Sequence, residues 1–102
     1  MIKVDVQTKD DLIIGMNVSG HAEYAEHGND LVCAGVSCIM FGLCNALDML
    51  CQIEAEAISN HIDIKIDQPN RDTQLIMQTA LIQLQTMEQQ FSQFIRIKIQ
   101  EV

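Results

Sequence analysis

The sequence predicts a two-layer α/β (α+β) sandwich, a four-stranded sheet with two helices on one face in the order β-β-α-β-α-β. Three features carry this expectation. Two alternating apolar stretches open the chain around a short polar turn, a long apolar helix follows from about Leu31, and two further alternating stretches flank a second helical repeat.

Ile2, Val4 and Val6 alternate with Lys3, Asp5 and Gln7. Beyond the polar turn Thr8-Lys9-Asp10-Asp11, a second alternation puts Leu12, Ile14, Met16 and Val18 on one face, so the pair reads as a hairpin of half-buried strands. Residues 19–29 are polar, hold two glycines and lack a sustained apolar period, which marks a loop. Asn29 or Asp30 is a suitable cap for a helix expected to run to about Glu56. On that helix Ser37, Asn45, Asp48, Gln52 and Glu56 gather on one flank. The remaining arc, with Val36, Ile39, Met40, Leu43, Leu47, Leu50 and Ile53, is wider than one small sheet covers, and a homodimer is expected to bury the excess. Ile62, Ile64 and Ile66 form a third alternation, ended by Gln68-Pro69-Asn70. Ile76, Ala80, Leu84, Met87 and Phe91 then repeat at helical spacing, and Ile95, Ile97 and Ile99 alternate with Arg96 and Lys98 as the last strand.

A chain of 102 residues fits one domain, 1–102. Six Lys and Arg against fourteen Asp and Glu leave a net charge of −8. With no run of basic residues, direct nucleic-acid binding and attraction to an anionic membrane are not expected, whereas a basic protein or peptide would be attracted. The apolar stretch Leu31 to Cys44 is interrupted by Ser37 and falls short of the roughly 20 residues that cross a bilayer. The amino terminus alternates at once instead of showing a basic segment before an apolar one, so no secretion signal is read and a cytoplasmic location is expected.

Cys33, Cys38, Cys44 and Cys51 all lie on the first helix at spacings of five, six and seven. The closest pair is separated by about 7.5 Å of axial rise, beyond disulfide reach, so reduced thiols are expected. No Cys-x-x-Cys pair points to a zinc ribbon or a thioredoxin-like site. Cys33 stands out because it follows Asp30 by three residues near the helix start, where unpaired N–H groups and the helix dipole favour a thiolate and stabilise an oxyanion. His21 and His27 on the preceding loop are candidate bases for nucleophilic cysteine catalysis. Two other readings stand beside it: Cys33 as small apolar filler, and a metal held by His21, His27 and Cys33, which lacks an obvious fourth ligand. Cys38, Cys44 and Cys51, with Met40, Met49 and Met87, are expected in the core, and His61 on the polar side of its strand.

Gly20-His21-Ala22, ten residues from Glu23 to Val32, and Cys33-Ala34-Gly35-Val36-Ser37, with Asp30 three before the cysteine, resemble the signature of the ribosomal-processing cysteine protease family, Prp. The hairpin before the motif and the helix-strand-helix-strand after it also resemble that family's small dimeric fold. The resemblance implies Cys33 as nucleophile and His21 as general base and acid, without metal or cofactor. Gly20, Asp30 and Ser37 match supporting or substrate-binding motif positions. It further implies, as substrate, a large-subunit ribosomal protein with a short amino-terminal extension, cut after an aromatic residue. With His21 between Gly20 and Gly28, the free enzyme is expected to hold that loop poorly ordered until substrate binds. A non-catalytic ribosome-associated binding module and a thiol redox sensor built on Cys33 are the rival expectations.

Overall fold

The computed structural model describes residues 1–20, 29–58 and 61–102, without the side chains of 29, 30 and 56–58. The element order is β1 (Ile2–Lys9), β2 (Leu12–Ser19), α1 (Asn29–Cys51), β3 (Glu56–Ile58), β4 (His61–Lys65), α2 (Arg71–Gln90) and β5 (Ile95–Glu101). The strands form one sheet in the order β3-β4-β2-β1-β5, antiparallel except for the β1–β5 pair. All four expected strands are present. The three-residue β3 is an addition, pairing with β4 at the sheet edge.

β1 and β2 meet through a two-residue turn, with Lys9 opposite Leu12. Asp10 and Asp11 have φ of 53° and 66°, the left-handed pair that matches the twist of a two-residue hairpin. Aspartate tolerates that region better than most side chains. The Asp10 N–H also donates to Glu101 Oε1 at 3.1 Å, which ties the turn to the end of β5.

The alternation expected for β2 breaks in the middle of the strand. Gln7 faces Gly15 but Thr8 faces Ile13, so Ile14 is an extra residue, a β-bulge. One extra residue exchanges the faces, and Ile13 is buried while Leu12 is exposed and Ile14 half-buried. β2 stops pairing with β4 at Gly15, opposite Lys65. Beyond that point the buried Gln74 side chain takes the place of a strand residue: Ile13 N–H donates to its Oε1 at 2.7 Å, and its Nε2 donates to the Ile13 carbonyl at 2.8 Å.

α1 ends at Cys51, five residues before the expected limit. Gln52 turns left-handed, with φ of 56°, and the Ile53 N–H bonds back to the Leu47 carbonyl at 3.1 Å. The released segment supplies β3. Along α1 the buried stripe is Val32, Val36, Met40, Leu43, Cys44 and Leu47. It packs with Val4, Val6, Met16 and Ile64 of the sheet and Met77, Ala80 and Leu84 of α2 in one core. Residues 31–51 have a mean hydropathy of 1.8, long and apolar enough by composition to cross a membrane. The Leu31–Cys44 stretch therefore understated the apolar length. Instead, one face of this helix is packed into the core.

α2 begins with a reciprocal cap. Thr73 N–H donates to Asn70 Oδ1 at 2.9 Å, and Asn70 N–H donates to Thr73 Oγ1 at 3.0 Å. Asn70→Ala is expected to cost about 1 kcal/mol. In a domain of this size that lowers Tm by roughly 4–8 °C; an unchanged melting curve would show that the cap does not hold this helix end.

Candidate active site

Of the site residues singled out in the sequence, Gly20 lies directly after β2, and Cys33 and Ser37 lie on α1. Gly20 follows the last residue of β2 and has φ of 91°, a conformation that favours glycine. A Cβ at that position would collide with the Met1 carbonyl oxygen. Gly20 is therefore required by backbone geometry, and it sets the direction in which the chain leaves the sheet. His21 and His27 lie outside the described residues, as do the expected ordering of their loop and the alternative metal site.

Cys33 is the fifth residue of α1 and is half-buried. The helix includes Asn29 and Asp30, so neither precedes it as a cap, and the residue before it lies outside those described. Cys33 thus sits at the start of the second turn, with its own amide inside the helical ladder. Side chains on a helix lean toward its amino terminus, so the thiol overhangs the first turn, where N–H groups are unpaired.

Ser37 lies one turn behind Cys33 on the same face and is half-buried. Among the described residues its hydroxyl makes no hydrogen bond. Gly35, between them, lies against α2, and a Cβ there would meet Met87 Cε at 2.7 Å, so a larger residue requires that flexible side chain to shift. The missing side chain lets Met87 lie against α1 two residues beyond Cys33. Helical periodicity marked Met87 as a core residue but carried no sign that it backs this turn.

The other thiols separate by environment. None of the four cysteines is in a disulfide. Cys44 is buried, and burial pushes its thiol above the ordinary range, which keeps it protonated. Cys38 is exposed and Cys51 half-buried, so the expectation that all three are core filler fails for both. Each falls off the stripe that faces the sheet. Met49, 75 % exposed, fails the same expectation because it too points away from that stripe. Among the described residues no group of three His, Cys, Asp or Glu gathers as a metal set. His61 lies on the polar face of β4, half-buried, with its Nε2 3.5 Å from Asn17 Nδ2.

A half-buried cysteine in the second turn of the long helix of a small α/β fold is an arrangement compatible with the thiol-hydrolase class. A family model described as cysteine protease Prp matches residues 1–96. The ribosomal processing cysteine protease Prp of Staphylococcus aureus is 37% identical over 103 residues, covering 95% of this chain and 97% of the relative. The protein of the same name from Bacillus subtilis is 30% identical over 112 residues, covering 95% and 96%. Among solved structures, that of the essential ribosomal processing protease Prp from S. aureus with a covalently linked product peptide aligns with a TM-score of 0.88 and 35% identity, covering 98% of this chain and all of that one. The chain belongs to the Prp family of cysteine proteases.

Proposed function

We propose that this protein removes the short amino-terminal extension of a bacterial large-subunit ribosomal protein, with Cys33 as nucleophile and His21 as general base and acid. The observation that carries the assignment is the placement of Cys33 and Ser37 on one face at the start of α1, with Gly20 opening the segment that bears His21. The S. aureus relative that holds a covalently linked product peptide supports a covalent route.

His21 takes the Cys33 thiol proton as the sulfur attacks the scissile carbonyl carbon, forming a C–S bond and moving the carbonyl electrons onto oxygen. Collapse of this intermediate breaks the C–N bond, and His21 donates a proton to the leaving amine. A water that gives its proton to His21 then adds to the thioester, and collapse breaks the C–S bond, releasing the product carboxyl group while the proton on His21 returns to the sulfur as the thiol. The first-turn amides of α1 are the nearest backbone donors for the oxyanion. Asp30 and Ser37 support the site, and the Ser37 hydroxyl, which makes no hydrogen bond among the described residues, is suited to contact substrate. The route uses no metal or cofactor.

The setting proposed is the cytoplasm, and the active form a homodimer. Supporting the dimer, α1 and α2 turn Phe41, Met49, Leu75 and Ile82 outward and leave a groove of about 430 Å³ lined by Cys38, Gly42, Leu75 and Thr79. Sedimentation at micromolar concentration should give twice the 11.5 kDa chain mass; a monomer would remove the dimer. The experiment for the activity is cleavage of a peptide spanning the extension junction, under reducing conditions and with chelator present. Cleavage unaffected by chelator supports the cysteine route, and no cleavage of either the peptide or the full extended protein would favour a binding module.

A further inference from the structure

The helices cover one face of the sheet, and the other face is open. On that open face the parallel β1–β5 register sets Lys3 beside Arg96 and Asp5 beside Lys98. With Met1 these residues line a cavity of about 310 Å³. Half of the six Lys and Arg residues of a chain with net charge −8 thus meet at one corner, brought from opposite ends of the sequence. Lys3 and Arg96 are like charges side by side on neighbouring strands and repel, while Asp5 offsets one of the three cations, leaving a net charge of +2 among the described lining side chains. Among the described residues, none of Lys3, Arg96 and Lys98 forms an ion pair, not even with Asp5. A local excess of positive charge on an open sheet face is complementary to an anionic partner.

We propose that the β1–β5 corner of the open face binds the phosphate backbone of RNA. The choice of RNA rests on the processing function proposed above, which places the enzyme beside ribosomal components. Arg96 offers a planar fork suited to phosphate, and Lys3 and Lys98 add point charges on either side. Among the described residues that line the corner none is aromatic, so the contact is to backbone and independent of sequence. The acidic remainder of the surface stays free to attract a basic substrate. The whole-chain charge hid this corner, because no two of its cations other than Arg96 and Lys98 are near in sequence.

The test is fluorescence anisotropy of a short labelled single-stranded RNA with the full chain, titrated across salt concentrations. Neutralising about three phosphates predicts a slope near −2 in log K against log salt. The combined variant Lys3→Gln, Arg96→Gln, Lys98→Gln should bind at least about tenfold more weakly, while Arg71→Gln, on α2, should match the wild type. The triple variant should still cut the free junction peptide, which certifies its fold. No binding by the wild type at about 50 mM salt, or binding unchanged in the triple variant, overturns the proposal. So does displacement of the RNA by polyglutamate at equal charge, which would make the corner a site for acidic peptides. If the wild type binds RNA but cuts no substrate, the protease assignment fails and the RNA contact stands separately.

Discussion

Replacing Cys33 with alanine should abolish cleavage of the junction peptide, lowering kcat/KM on the order of 10⁴-fold or more, because no other group on α1 can form the acyl-enzyme. Cys38 is exposed but lies more than a turn further along the helix, and Cys44 is buried with its thiol held protonated. Neither can stand in. The half-buried Cys33 side chain is small, so its removal should leave Tm within a few degrees of the wild type, separating lost chemistry from lost folding. His21→Ala should cause a loss of similar order, since nucleophile and base act as a unit, and the double variant should be no worse than either single one. Cleavage retained in Cys33→Ala would refute the assignment. Alkylation gives an independent check: Cys33 should react faster than Cys38 although Cys38 is more exposed, and the reverse order would leave exposure as the only control on reactivity.

The largest effect on stability is expected at Gln74. Its amide closes two bonds to the Ile13 backbone where the bulge carries β2 past the end of β4. Gln74→Leu fills similar space but leaves a buried N–H and a buried C=O unpaired, which costs roughly 2–4 kcal/mol. The corresponding fall in Tm is on the order of 10–20 °C. Gln74→Glu refines the test. At neutral pH its carboxylate still accepts from the Ile13 N–H but opposes the Ile13 carbonyl, so its ionised form is disfavoured in the fold and its pKa is raised there above the unfolded value of about 4.3. A raised folded pKa makes the variant most stable, relative to wild type, below the unfolded value, and that advantage is lost as pH climbs through the folded one. The gap between the two melting temperatures should therefore narrow on acidification. Equal gaps at all pH values would show that Gln74 fills space and nothing more.

The Glu88 carboxylate plays a related part at the opposite edge, accepting the Ile97 N–H at 2.8 Å on the free side of β5. That contact occupies one of the donors an exposed edge strand would otherwise offer to another chain. Both side chains are polar residues on α2 that periodicity alone assigns to its outer face. What placed them against strands was the packing of α2 on the sheet, which brings both side chains within hydrogen-bond reach of strand backbone.

Local pattern determined much of this protein by itself. Alternation located β1, β4 and β5, helical spacing located α1 and α2, and the apolar excess on α1 was visible as an arc too wide for one sheet. The motif from Gly20 to Ser37 was legible as a string of residue types, and with it the family. Tertiary structure decided the rest. The bulge at Ile14 exchanged the faces of β2 because register depends on the partner strand, which no single-strand pattern contains. α1 stopped at Gln52 because its carboxyl end is closed by a left-handed turn, a conformation that glutamine does not advertise. The absence of a side chain at Gly35 acquires meaning only when Met87 arrives from α2, and Gly20 only when the Met1 carbonyl lies where its Cβ would be. The cationic corner of Lys3, Arg96 and Lys98 exists because β5 joins β1 in parallel at the sheet edge. Periodicity is a property of one segment, whereas contact, register and charge clustering belong to pairs of segments, and those pairs form only when the chain closes on itself.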